Sequence, residues 1–185
     1  MSADLPAPWR DLLSEIDRAL PGPVVLYCLG GFVLAIRHGL PRPTNDLDYL
    51  EIAPASAQPM MDRLAARDSD LARTHGVHVQ HFSPASVPES YADRLTDLLA
   101  GRFRNLRLRA LEAHDLALSK LSRDSPVDRE DVAYLARTVP LDPDLLRRRY
   151  RTELRPIAVG DPALLDRRLE RWIAAYWPET GPVSG

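Results

Sequence analysis

The sequence predicts an α/β (α+β) chain, a mixed sheet of about four strands flanked by helices, followed by a helical C-terminal part. Three observations carry that prediction. Short β-branched or alternating runs recur at 24–29, 46–52, 77–82 and 106–111, with segments of helical period between them. From Glu112 onward the period is helical throughout. Pro and Gly punctuate the joins. Strand and helix alternating three times before a last strand, then helices alone, is the order of a layered domain with a helical appendage.

In chain order, Trp9, Leu12, Leu13, Ile16 and Leu20 lie at helical spacing and Pro21-Gly22-Pro23 ends that helix. Val24 to Leu29 is a buried strand by length and β-branching, and Phe32 to His38 a short helix. Pro41 and Pro43 make 39–45 a loop. Asp46 to Ile52 is the second strand, and a helix follows from about Gln58 to Thr74. Val77 to Phe82 alternates as a third strand, Tyr91 to Leu99 reads as helix, and Leu106 to Leu111 alternates as the fourth strand. Helices are expected over 112–122, 129–138, 143–154 and 162–176, and a disordered tail over 178–185. The expected division is 1–111 for the sheet core, 112–177 for the helical region and 178–185 for the tail.

Apolar and charged contents of 45% and 27% are those of a globular chain long enough to bury a core. The apolar run Val24 to Ile36 is broken by Gly30 and Gly31 and is too short for a membrane span, so no membrane partner is expected. Cys28 stands alone, which excludes an internal disulfide and fits a reducing, cytoplasmic setting. Residues 1–101 hold 8 Arg against 13 acids, a balance of −5, whereas 102–185 hold 15 Arg and 1 Lys against 13 acids, a balance of +3. The basic half suits a polyanion such as RNA, and equally a solvated helical surface. Lys120 is the sole lysine in a chain that otherwise uses arginine. A compact point charge is not interchangeable with a guanidinium at a tight phosphate site, although chance survival of one lysine explains it as well.

The stretch Gly30 to Asp48 has the most chemistry. A diglycine at the end of a strand lets backbone approach a ligand and lets the N–H groups of a helix start face a phosphate. On a strand, Asp46 and Asp48 share one face, where two carboxylates can hold a divalent cation. Plain alternatives stand beside these readings. Gly30-Gly31 also suits a simple turn, Asp46 a turn cap after Thr44-Asn45, and Arg42 a solvated loop position. Asp48, inside an otherwise apolar strand, has no such structural account. Asp128, after Pro126-Val127, reads as a helix N-cap, and Asp131 as the third helical residue. The five histidines lack zinc-site spacing.

Gly30-Gly31, a helix, then Arg42-x-Thr44-x-Asp46-x-Asp48 resembles the signature of the nucleotidyltransferase superfamily, the fold of DNA polymerase β and of tRNA CCA-adding enzymes. The likeness is closer to the minimal bacterial AbiEii and MenT toxin type. It continues in His114 to Leu121, similar to the family helix that ends in a lysine, here Lys120, and in Asp128-x-x-Asp131, and it covers roughly residues 20–140. The resemblance implies that Asp46 and Asp48 bind Mg²⁺ (or Mn²⁺), that Gly30 and Gly31 offer backbone donors to the phosphates of an NTP substrate, and that Lys120 meets phosphate as a point charge. Arg42 would neutralise the aspartates or reach phosphate, beside Thr44 of the same motif, and Asp131 would orient Lys120 or act as a base.

One departure bears on activity. Polymerase-type members carry a third carboxylate on the strand placed here at Val77 to Phe82, which offers His78 and Gln80 instead. The expected function is metal-dependent transfer of NMP from an NTP to an RNA (tRNA) end or a protein hydroxyl, as the toxin of a toxin–antitoxin pair with an antitoxin partner. The alternatives are a catalytically degenerate nucleotide- or RNA-binding module of the same fold, and a plain nucleic-acid binder acting through its arginine-rich helices.

Overall fold

The structure, a computed structural model, describes residues 5–82 and 87–178. The tail expected at 178–185 lies outside these residues except for Pro178. The chain divides into two compact units, residues 1–84 with 93–112, and residues 85–92 with 113–185.

The first unit holds β1 (Val24–Leu29), β2 (Asp46–Ala53), β3 (His78–His81), β4 (Thr96–Leu98) and β5 (Leu106–Ala110) in one sheet of order β3-β2-β1-β5-β4. β1 pairs antiparallel with β2 and parallel with β5, β2 pairs parallel with β3, and β4 pairs antiparallel with β5. The sheet is therefore mixed, as expected, but has five strands instead of about four. The helix expected over Tyr91 to Leu99 is instead a 3₁₀ segment, Glu89–Arg94, followed by β4. Three residues are too few for alternation to register, and β4 exists only because β5 supplies its hydrogen bonds.

α1 (Ala7–Ala19) buries Trp9, Leu12, Leu13 and Ile16, and Trp9 meets Phe32 of α2 (Gly30–His38) edge to face at 4.7 Å. Asp17 joins α1 to the start of β5 by accepting the N–H groups of Arg104, Asn105 and Leu106 at 3.1, 2.6 and 2.7 Å. Burial opposes the ionised Asp17 carboxylate, but these backbone donors prevail and lower its pKa. The helix expected from Gln58 to Thr74 is two helices, α3 (Gln58–Ala65) and α4 (Asp70–His75). Ser69 accepts the N–H of Ala72 at 3.1 Å and begins the second, a local bond that competes with continuing the first.

The second unit holds α5 (Ala113–Leu118), α6 (Pro126–Thr138), α7 (Pro143–Arg149), a π-helical turn Tyr150–Leu154, and α8 (Pro162–Tyr176). Its basic residues are largely matched by its own acids. Arg147 pairs with Glu170, Arg149 with Asp115 and Arg155 with Asp166, while Asp124 gathers Arg129, Arg168 and Arg171 and accepts the Trp172 indole N–H at 3.0 Å. The +3 balance of residues 102–185 therefore lies outside this unit: it comes from Arg102, Arg104, Arg107 and Arg109 against Glu112, all in the first unit. Among the described residues no helix is long and apolar enough to cross a membrane.

Candidate active site

β1 ends at Leu29, whose register partner on β2 is Asp48. Gly30 then turns the chain at φ +79°, in the left-handed region that favours glycine. A Cβ on Gly30 would lie 2.5 Å from Asp48 Oδ2, and one on Gly31 would lie 3.0 Å from Thr44 Oγ1. Gly30 is therefore favoured by conformation, and a side chain at either glycine would have to displace Asp48 or Thr44. Arg42 reaches the same place, its Nη2 3.9 Å from that position on Gly31. The structure thus brings together Gly30, Gly31, Arg42, Thr44 and Asp48, with Asp46 beside them through Thr44.

Asp46 and Asp48 are both partly exposed, whereas Leu47 between them is buried, which is the alternation of a strand. The Thr44 hydroxyl donates to Asp46 Oδ1 at 2.7 Å. Asp46 and Asp48 lie opposite His78 and Gln80 of β3, and the Gln80 amide donates to Asp48 Oδ1 at 2.6 Å. His78 Nε2 is 3.2 Å from Gln80 Oε1, which makes a chain from imidazole to amide to carboxylate. Behind the pair, burial and then the Asp48 charge push the Cys28 thiol well above its ordinary range, so it stays protonated and packs as a small apolar group. α2 begins at Gly30 with no side-chain cap, so its first N–H groups are available to an anion.

A divalent cation fits these donors. Two carboxylates on one face are hard oxygen ligands, and Mg²⁺ is commonly held by one or two carboxylates together with substrate phosphates. Among the described residues no group of three or more His, Cys, Asp or Glu side chains is arranged to hold an ion alone, so phosphate oxygens are the fitting source of further ligands.

Lys120 and Asp131 meet in the second unit. Lys120 follows α5, is 5% exposed, and its Nζ lies 2.8 Å from Asp131 Oδ2 and 3.4 Å from Asp128 Oδ1 on α6. Asp128 is fully buried and also takes a bidentate contact from Arg123, 2.6 Å to each oxygen. Burial opposes its ionised form, yet Arg123, Ser125 and Lys120 hold the carboxyl far below the ordinary carboxylate range. The helix cap is not Asp128 but Ser125, and the two form a capping box, so α6 starts three residues before the expected 129 and Asp131 falls beyond its first turn. Ser125-Pro126-Val127-Asp128 spells that box in sequence, a signal that was legible. The Gln80 brace on Asp48 had no signal, because it depends on strand register.

A profile of the family described as nucleotidyltransferase of unknown function (DUF6036) matches residues 11–161. The chain belongs to that family. It is accordingly an enzyme of the nucleotidyltransferase class, for which an NTP is the implied substrate. The match spans the sheet with its diglycine and aspartate pair, the turn after α5 that carries Lys120, and α6 with Asp128 and Asp131. No curated protein and no solved structure matches the chain.

Proposed function

We propose that the protein transfers the nucleoside monophosphate of an NTP, with Mg²⁺ or Mn²⁺, to a hydroxyl on an RNA end, a tRNA foremost, or on a protein, as the toxin of a toxin–antitoxin pair of the AbiEii and MenT type. The observation that carries the transfer is the placing of Asp48 and Thr44 against the two glycines that open α2, with Asp46 held beside them. In that reading Asp46 and Asp48 would hold the cation, which when bound neutralises the triphosphate and the charge that develops at the α-phosphorus. The N–H groups at Gly30 and Gly31 would hold phosphate oxygens, and Arg42 would add a fixed positive charge. The acceptor oxygen forms a bond to the α-phosphorus, the bond to the bridging oxygen breaks, pyrophosphate leaves, and the acceptor proton passes to solvent water. Thr44 and Gln80 position the two carboxylates.

The test is incubation of the protein with Mg²⁺ or Mn²⁺, each labelled NTP and total tRNA. Metal-dependent labelling of RNA that disappears in D46A and D48A is the expected result; labelling that survives both substitutions refutes the site. A second reading, a nucleotide-binding module without turnover, is favoured by Gln80, a neutral amide already bonded to Asp48 on the strand where polymerase-type members carry an acid. Calorimetry that finds NTP bound but unconsumed would decide for it.

A further inference from the structure

Asp46 has a second side. Besides the Thr44 hydroxyl, it borders a cavity of about 550 Å³ that neither Gly30, Gly31 nor Asp48 lines. Its walls come from the loop before β2, from the α3–α4 connection and α4, and from the start of β3, all within the first unit. Arg42, Arg67, Arg73 and His78 line it together with Asp46, and the Arg73 guanidinium also donates to the Asp68 carbonyl. Asp70 pairs with Arg73 and is itself almost fully exposed, so it screens that guanidinium without burying it. The first half of the chain has a net balance of −5, yet this recess gathers cations. That concentration needs a reason, and an anionic ligand supplies one.

The adjoining cavity, about 370 Å³, shares Arg42, Pro43, Thr44, Asn45 and Val77 with the first and is otherwise mainly apolar, walled by Pro6, Pro8, Ile36, Leu40 and Pro41. A charged chamber opening beside an apolar one matches the two halves of a nucleotide, phosphate and base. A nucleotide joins the anionic and the apolar group in one repeating unit, whereas an acidic peptide must place an aromatic residue next to its carboxylates.

The geometry points to this double recess as the acceptor site, taking the phosphodiester backbone and a terminal base of a single-stranded RNA end. Arg67 and Arg73 hold the backbone, and the terminal hydroxyl reaches Asp46 from this recess. The inference rests on the nucleotidyl-transfer reading of Asp46 and Asp48 and selects RNA over a protein hydroxyl as the acceptor.

The test separates the two ligands. Binding of a short fluorescein-labelled single-stranded RNA with a free 3′ hydroxyl is followed by anisotropy across a salt series, and NTP binding with Mn²⁺ by calorimetry. Both use the full chain and its R67E/R73E and D46A/D48A variants. Arg67 and Arg73 are exposed, so charge reversal leaves the core intact, and the milder R67Q/R73Q guards against misfolding. Expected for R67E/R73E is RNA affinity lowered about tenfold or more, with the salt slope reduced by about 1.4, while NTP affinity holds. R67Q/R73Q is expected to fall between that variant and the native protein. RNA binding unchanged in R67E/R73E overturns the acceptor site, as does an acidic unfolded protein that displaces the RNA at equal charge concentration. NTP binding that is absent from the native protein, or unaltered in D46A/D48A, refutes the nucleotidyl-transfer reading instead, and leaves the RNA result to stand on its own.

Discussion

Asp46 and Asp48 are partly exposed carboxylates at the start of a strand, braced by the Thr44 hydroxyl and the Gln80 amide. Asp128 and Asp131 are buried carboxylates held by Lys120 and, for Asp128, by Arg123. The first pair keeps its charge where a ligand can meet it; the second is balanced by cations of its own unit. A buried charge without a partner is costly, so removing one member of the second group should chiefly damage folding. A partly exposed carboxylate adds less to stability than a buried ion pair, and ligand chemistry gives a reason for its position.

The largest expected effect is on the buried cluster. D128N should lower unfolding free energy by roughly 3–5 kcal/mol, because it strips a buried carboxylate from Lys120 and Arg123, and D131N should act in the same direction. Denaturant unfolding followed by far-UV circular dichroism measures both. The acid limb carries the same signature. The folded-state pKa of Asp128 is depressed, so its stabilisation is full above the unfolded carboxylate value of about 3.9 and is lost as pH falls below it. D128N should therefore flatten the loss of stability in that acid range; an unchanged acid limb breaks the comparison on this side.

Next comes D48N, which keeps the shape and removes the charge. Transfer activity should fall at least about a hundredfold, beyond the loss usual for an outer-shell residue, while unfolding free energy stays within about 1 kcal/mol of the native protein. A large stability loss with D48N would make the two carboxylate groups alike after all. G30A joins both kinds of damage. Its φ of +79° and the 2.5 Å approach to Asp48 Oδ2 predict roughly 2 kcal/mol of destabilisation together with displacement of Asp48. G31A should be milder in the same assays, since its neighbour lies at 3.0 Å. The smallest effect is expected from Q80A, about a tenfold loss of transfer with little change in stability, because it frees Asp48 without altering the site's charge.

Legibility in the sequence followed the range of the interactions. Long, strongly patterned elements such as α1 and β1 are where their apolar spacing puts them, and the aspartate pair lies on the strand that alternation drew for it. β4 was missed because three residues have no period of their own. The break between α3 and α4 was missed because Ser69 acts through a single capping bond within a helical pattern. Net charge counted by halves did not follow the units: the +3 of residues 102–185 comes from Arg102, Arg104, Arg107 and Arg109 against Glu112, all in the first unit. The arginines of the second unit mostly neutralise its own acids, while the recess at Arg42, Arg67 and Arg73 lies in the half with the acidic balance.

By itself the sequence determined the mixed α/β class, the diglycine before a helix, the two carboxylates one residue apart and the single lysine, because each depends on residue type and short spacing. Only the tertiary structure decided that Asp48 fills the space beside Gly30, that Gln80 braces it across a parallel register, that Lys120 is buried between two aspartates, and that three distant arginines share one recess. Those facts depend on which strand lies beside which and which side chain fills which volume, quantities set by packing across the whole sheet and bundle and carried by no local stretch of chain.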